Sequence, residues 1–182
     1  MALDELLQAR TASIAKRWLE ETLRTYDPHT ASHLLRERDP FANPVGHALI
    51  TGTQAVVDGL AAGSNPQELA SGLGEIIKIR SVQDFTPAQA VSFILLLKEV
   101  IRNELGSGVE APDVAEQLRR FDARVDQLLL VGFDLYTHYR ERMYEVRVND
   151  IKRRVSGLMR QMGMSTDDPE PGPDVPETAL RR

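Results

Sequence analysis

The 182-residue sequence contains no cysteine, which excludes disulfides, thiolate metal sites and cysteine nucleophiles, and fits a reducing compartment. Long apolar runs are also missing. The longest strongly apolar stretch, Phe93 to Leu97, is far short of the roughly 20 residues a membrane-spanning helix needs. The first residues pass from Met1 directly into Asp4 and Glu5 without the basic-then-apolar order of an export signal, so a cytoplasmic protein without membrane insertion is expected. No stretch alternates strictly between apolar and polar, which argues against half-buried strands. A phosphate-cradling glycine loop, a nucleophile elbow and the carboxylate and histidine pattern of a di-iron bundle are all absent, so neither catalysis nor a cofactor is expected. The formal net charge of -5 disfavours a general nucleic-acid binder.

What is present is enough apolar residue, 42%, to build one domain with a real core. Helical periodicity and cap signals run through it. A first helix is predicted from Leu3 to about Thr25, with Leu3, Leu7, Ile14 and Trp18 on one face, ended by Tyr26-Asp27-Pro28. A short helical piece from Thr30 to Arg36 should follow. Asp39 to Gly46 then reads as an extended loop held by two prolines, from which Asn43 as cap and Pro44 at the first position launch a helix to about Ala62. Asn65-Pro66 should start the next helix, through Leu69, Leu73, Ile76, Ile77 and Arg80.

Thr86, Pro87 and Gln89 form a capping box, the strongest local signal in the chain. The helix it starts is apolar nearly all round from Val91 to Ile101 and is expected to be the central buried element. Gly106-Ser107-Gly108 should end it. Pro112 to Met162 then reads as one very long helix with two apolar stripes.

The first stripe runs Val114, Leu118, Phe121, Val125, Leu128, Gly132, Leu135 and Tyr139, in steps of three and four. The second runs Tyr144, Val148, Ile151, Val155, Leu158 and Met162. The five-residue step between them turns the apolar face by roughly 140°. About 50 residues at 1.5 Å each would make a rod of roughly 75 Å, longer than a compact domain of this size. Either the helix kinks, near Gly132, or its later part finds a partner. The expected fold is all-α: a single globin-like or bundle-like domain of five to six helices with a long C-terminal helix. It should comprise a helical domain over 1–139, a protruding helical extension over 140–163 and a disordered acidic tail over 164–182.

Candidate site residues are few. Gly52 and Gly59 are seven apart and share a helix face, which suggests close approach by another backbone or by a ligand. Arg80, Gln83 and Asp84 form a polar cluster between two apolar helices, either lining a pocket or satisfying helix ends. His29 and His33 have the four-residue spacing of a helical metal pair but no third ligand nearby, so no metal site is expected. His47 falls in the first turn of its helix, and His138 falls where the long helix would leave the domain. Basic residues crowd Arg140 to Arg160, a pattern better suited to a solvated coiled-coil face than to nucleic acid.

Two of these runs carry a family resemblance. Asp39 to Gly46 (DPFANPVG), Ile77 to Phe93 (IKIRSVQDFTPAQAVSF) and the long terminal helix resemble the N-terminal domain of RsbRD-type proteins, the RsbT co-antagonists of bacterial stressosomes. They also resemble the sensor regions of some histidine kinases. The resemblance covers about Leu3 to Arg160. It implies an all-helical input domain, similar to haem-free globin-like stressosome sensors, that dimerises and passes a signal through its terminal helix. It implies no catalytic residue and no agreed ligand. In relatives an output domain follows that helix, whereas here an acidic proline-rich segment does. The resemblance therefore implies a sensor that passes its signal to a separate protein, a signalling or respiratory-complex component, or that acts simply as a dimeric adaptor.

The reading that results is a dimeric, non-enzymatic sensory module of the stress response, pairing through Tyr144, Val148, Ile151, Val155, Leu158 and Met162. Its alternative is a globin-like carrier of haem or a small apolar ligand. That reading uses the Gly52 and Gly59 face, set opposite the Val91 to Ile101 helix, with His47 or His138 as an iron ligand.

Overall fold

Three helices begin in the same way, with a capping side chain followed by proline at the first helical position. Asp27 accepts from the amides of His29 and Thr30, Asn43 from that of Gly46, and Thr86 from that of Gln89. Proline suits this position because the amide it lacks would have no partner there. In the computed structural model, which describes residues 3–37, 39–83, 85–106 and 112–163, these starts delimit much of the fold.

The order is α1 (Leu3–Ala9), α2 (Thr11–Leu23), α3 (Pro28–Arg36), α4 (Pro44–Ala61), α5 (Ala70–Val82), α6 (Pro87–Ser92), a 3-10 turn (Phe93–Leu95), α7 (Leu96–Leu105) and α8 (Pro112–Gln161). No strand occurs among the described residues, so the expected all-α class with a long last helix holds. The chain divides after Arg142 into two compact units.

The first unit owes its core to α2, α4, α5, α7 and the first half of α8. Trp18 is fully buried, stacks on Phe93 with ring centroids 5.7 Å apart, and donates its indole N–H to the Phe93 carbonyl at 2.8 Å. That bond corrects one expectation. Val91 to Ile101 is not a continuous helix buried all round but is interrupted at Phe93–Leu95, where the Phe93 carbonyl serves Trp18. Leu95 is 39% exposed and Glu99 is exposed, so the stretch has an outer face.

The first helix is also divided. Arg10 leaves helical geometry and pairs with Glu104 at 3.2 Å, and Arg17 meets the same carboxylate at 2.9 Å. The break leaves Leu3, Leu6 and Leu7 on one side and Ile14 and Trp18 on the other free to enter the core along separate axes. Asn65 does not start a helix either. It exchanges two 3.0 Å bonds with Glu68 in a closed turn, and α5 begins at Ala70.

Along α8, Val114, Leu118, Phe121, Val125, Leu128 and Gly132 are buried as their spacing predicts. At the end of the stripe Tyr136 is buried, while Leu135 and Tyr139 are only partly covered. Gly132 marks no break in the helix; it admits Ile94, whose Cδ1 would lie 2.7 Å from a β-carbon there. Arg124 satisfies the end of α4 by donating to the carbonyls of Leu60 (3.2 Å) and Ser64 (2.9 Å).

In the second unit no residue from 143 to 163 is buried. Residues 164–182, with the expected acidic tail, lie outside the described residues, as do Asp84 and the loop 107–111.

The capping box offers a direct test. The Gln89 amide reaches Thr86 Oγ1 at 3.3 Å and the Thr86 amide reaches Gln89 Oε1 at 3.0 Å. Thr86→Ala is expected to cost about 1 kcal/mol, lowering Tm by roughly 2–4 °C in a thermal melt. An unchanged melt would show that α6 is held by packing alone.

Candidate functional site

Leu73, Ile76, Ile77 and Arg80 follow one another at the spacing of a buried face, so α5 delivers a cation where its register calls for an apolar residue. Arg80 is 0% exposed. Its guanidinium carbon lies 4.1 Å from the centre of the Phe85 ring, 5.0 Å from that of Tyr26 and 5.2 Å from that of Phe93. Both terminal nitrogens donate to Thr25 Oγ1 at 3.2 Å, and Nη2 also donates to the Gln89 carbonyl at 3.0 Å. The buried Nε finds no partner, and no carboxylate among the described residues reaches the group.

A guanidinium tolerates such a site better than an ammonium because it is planar, weakly hydrated and stacks on ring faces. Burial pulls its pKa below the ordinary value, while Tyr26 opposes that pull. Arginine starts so high that it stays charged. Tyr26 stands edge-on to Phe85 with centroids 5.2 Å apart and donates its hydroxyl to Gln83 Oε1 at 3.2 Å. Burial raises its pKa, with the Arg80 charge opposing.

The residue after Arg80 connects this cage to the last helix. The Ser81 carbonyl accepts from Arg140 Nη1 at 3.0 Å. Two turns earlier on α5, Tyr139 approaches Gly74, its hydroxyl 3.2 Å from where a β-carbon would stand. Burial, followed by the Glu75 carboxylate, raises the Tyr139 pKa. Adjacent residues of α5 thus face a caged cation and the stretch of α8 just before the boundary at Arg142.

Of the other candidates, Gln83 joins the cage through Tyr26, and Asp84 lies outside the described residues. Gly52 and Gly59 face α5 and the turn before it, not the Val91 to Ile101 stretch. A β-carbon on Gly52 would stand 2.7 Å from Ile76 Cγ1 and 2.8 Å from the Gly72 carbonyl, and one on Gly59 would stand 2.2 Å from Leu69 Cδ2. His47 on α4 and His138 on α8 are exposed. His29 and His33 border an open hollow of about 350 Å³ with Ser32, Arg36 and Glu37. No three metal-ligating side chains converge among the described residues.

The six residues of the second stripe range from 48% exposed at Val148 and Val155 to 75% at Met162. Sequence reasoning did not find Thr25, Tyr26, Phe85 and Phe93 around Arg80. The available signal was an arginine in phase with Leu73, Ile76 and Ile77.

No described helix is long and apolar enough to cross a membrane. Residues 12–151 match the family described as the RsbT co-antagonist protein rsbRD N-terminal domain. No curated protein and no solved structure matches the chain.

Proposed function

The chain belongs to the RsbT co-antagonist protein rsbRD N-terminal domain family, and from that premise we propose a non-enzymatic sensory or regulatory module of the cytoplasm. It works as a dimer and passes its state to a separate protein through α8. The observation that carries the reading is the stripe Tyr144, Val148, Ile151, Val155, Leu158 and Met162, whose six apolar side chains are all about half exposed or more. Isolated exposed apolar residues are ordinary, but six in 4-3 register on one helix form the seam of a coiled coil.

The joint supports the same reading. Arg80 stands in the aromatic cage, and the carbonyl of the next residue, Ser81, accepts from Arg140, so the cage lies one residue of chain from a contact to α8.

Full-length protein is expected to sediment as a dimer. Ile151→Asp combined with Val155→Asp should leave a helical monomer, since two buried charges per chain oppose pairing. Circular dichroism and sedimentation velocity at tens of micromolar check both points. A wild-type monomer under those conditions would remove the dimer from the proposal.

A further inference from the structure

Within the second unit, residues 143–182, the charge changes sign at Gly163. Residues 151–163 hold the cations Lys152, Arg153, Arg154 and Arg160 and no carboxylate, whereas residues 164–180 hold Asp167, Asp168, Glu170, Asp174 and Glu177 and no cation. Blocks of opposite sign this close in one chain attract each other.

The cations stand on a face of their own. Arg154 is paired with Asp150 at 2.8 Å, while Lys152, Arg153 and Arg160 are exposed. At 100° per residue Arg153 and Arg160 lie roughly 160–180° from the middle of the Tyr144 to Met162 stripe, with Lys152 on its flank. At the end of α8, Gly163 has a φ of +72° and donates its amide to the Arg160 carbonyl at 3.2 Å, so the chain leaves the helix axis through a conformation that glycine permits. We infer that the acidic run Asp167, Asp168 and Glu170 docks on the Lys152, Arg153 and Arg160 face of the same helix.

Reach and tethering select this segment as the occupant. Pro169, Pro171 and Pro173 oppose helix, and a chain of polyproline II pitch advances about 3.1 Å per residue, so Asp167 to Glu170 reach about 12 to 22 Å from Gly163. Arg153 and Lys152 lie about 15 and 17 Å back along the helix. Exposed ion pairs are individually weak, but a short tether sets an effective concentration of about millimolar order, at which weak pairs suffice. The segment is then an internal counter-ion. An anionic partner reaching for this face has to displace it.

Ser156 lies one turn from both Lys152 and Arg160, and the chain has no cysteine, so Ser156→Cys carries a single nitroxide on the full chain. In NMR spectra at low salt, the nitroxide should weaken the amide signals of Asp167, Asp168 and Glu170 at least twofold more than it does in the same protein with Lys152→Gln and Arg153→Gln. That difference should vanish at about 1 M salt, where the Debye length shrinks to about 3 Å. Circular dichroism checks that the substituted helix is intact.

Equal weakening in both proteins, or a difference that survives the salt, would show that the tether alone brings the segment near, and the contact is overturned. If isotope-labelled copies without the nitroxide are weakened when mixed with nitroxide-bearing copies, the segment sits on another copy, and docking within one chain is overturned. Because no stripe residue takes part, a monomer and a dimer give the same expected result.

Discussion

Arg80→Ala is expected to lower stability by about 3–4 kcal/mol, because truncation leaves a cavity inside three rings and strips the Gln89 carbonyl and the Thr25 hydroxyl of a donor. For a chain of this size that corresponds to roughly 10 °C in Tm. Arg80→Met should cost far less, about 1 kcal/mol. It keeps much of the buried volume and removes the desolvation of a cation that no described carboxylate balances. Arg80→Lys should fall between them, since a point charge keeps the burial penalty and loses the planar stacking on Phe85. Chemical denaturation of the three variants checks the order. A methionine variant as unstable as the alanine one would mean that the charge itself holds the cage together, through cation–π attraction larger than the ~2 kcal/mol typical of a desolvated pair.

The second large effect concerns the α4–α5 contact. At Gly52 an added methyl group would meet the Gly72 carbonyl at 2.8 Å, and backbone cannot rotate away. Gly52→Ala is expected to cost about 1–2 kcal/mol net, with overpacking of up to ~3 kcal/mol partly offset by the ~1 kcal/mol that alanine gains over glycine in a helix. Gly52→Val should cost 3 kcal/mol or more, since β-branching adds bulk and removes that offset. Gly59→Ala is the internal control. Its nearest neighbour is the far end of the Leu69 side chain, which can change rotamer, so the net change should stay within about 0.5 kcal/mol. Equal effects at the two glycines would show that α4 and α5 are not held at closest approach near Gly52.

Much of the fold was legible because the signals that delimit it are local. Asp27, Asn43 and Thr86 cap amides two or three residues away, and proline acts on its own backbone and its neighbour, so helix starts can be read from a few consecutive letters. Errors fell where a distant residue intervenes. Arg10 breaks the first helix where Glu104 lies across the fold, and the Phe93 carbonyl turns to Trp18, 75 positions earlier. Neither partner can be known from local periodicity.

The candidate site divides along the same line. Residue spacing by itself determined that α8 carries two apolar stripes on different faces, because a helix turns by a fixed angle per residue and the five-residue step cannot be absorbed. Only the tertiary structure decided which of those side chains the rest of the chain covers. It buries Val125, Leu128 and Tyr136 and leaves Leu130 and Phe133 out. Tertiary structure alone also turned Arg80 from one polar letter on an apolar face into a cation held by Tyr26, Phe85 and Phe93. Those rings come from positions up to 54 residues away in the chain, and only packing sets which face of which element they meet.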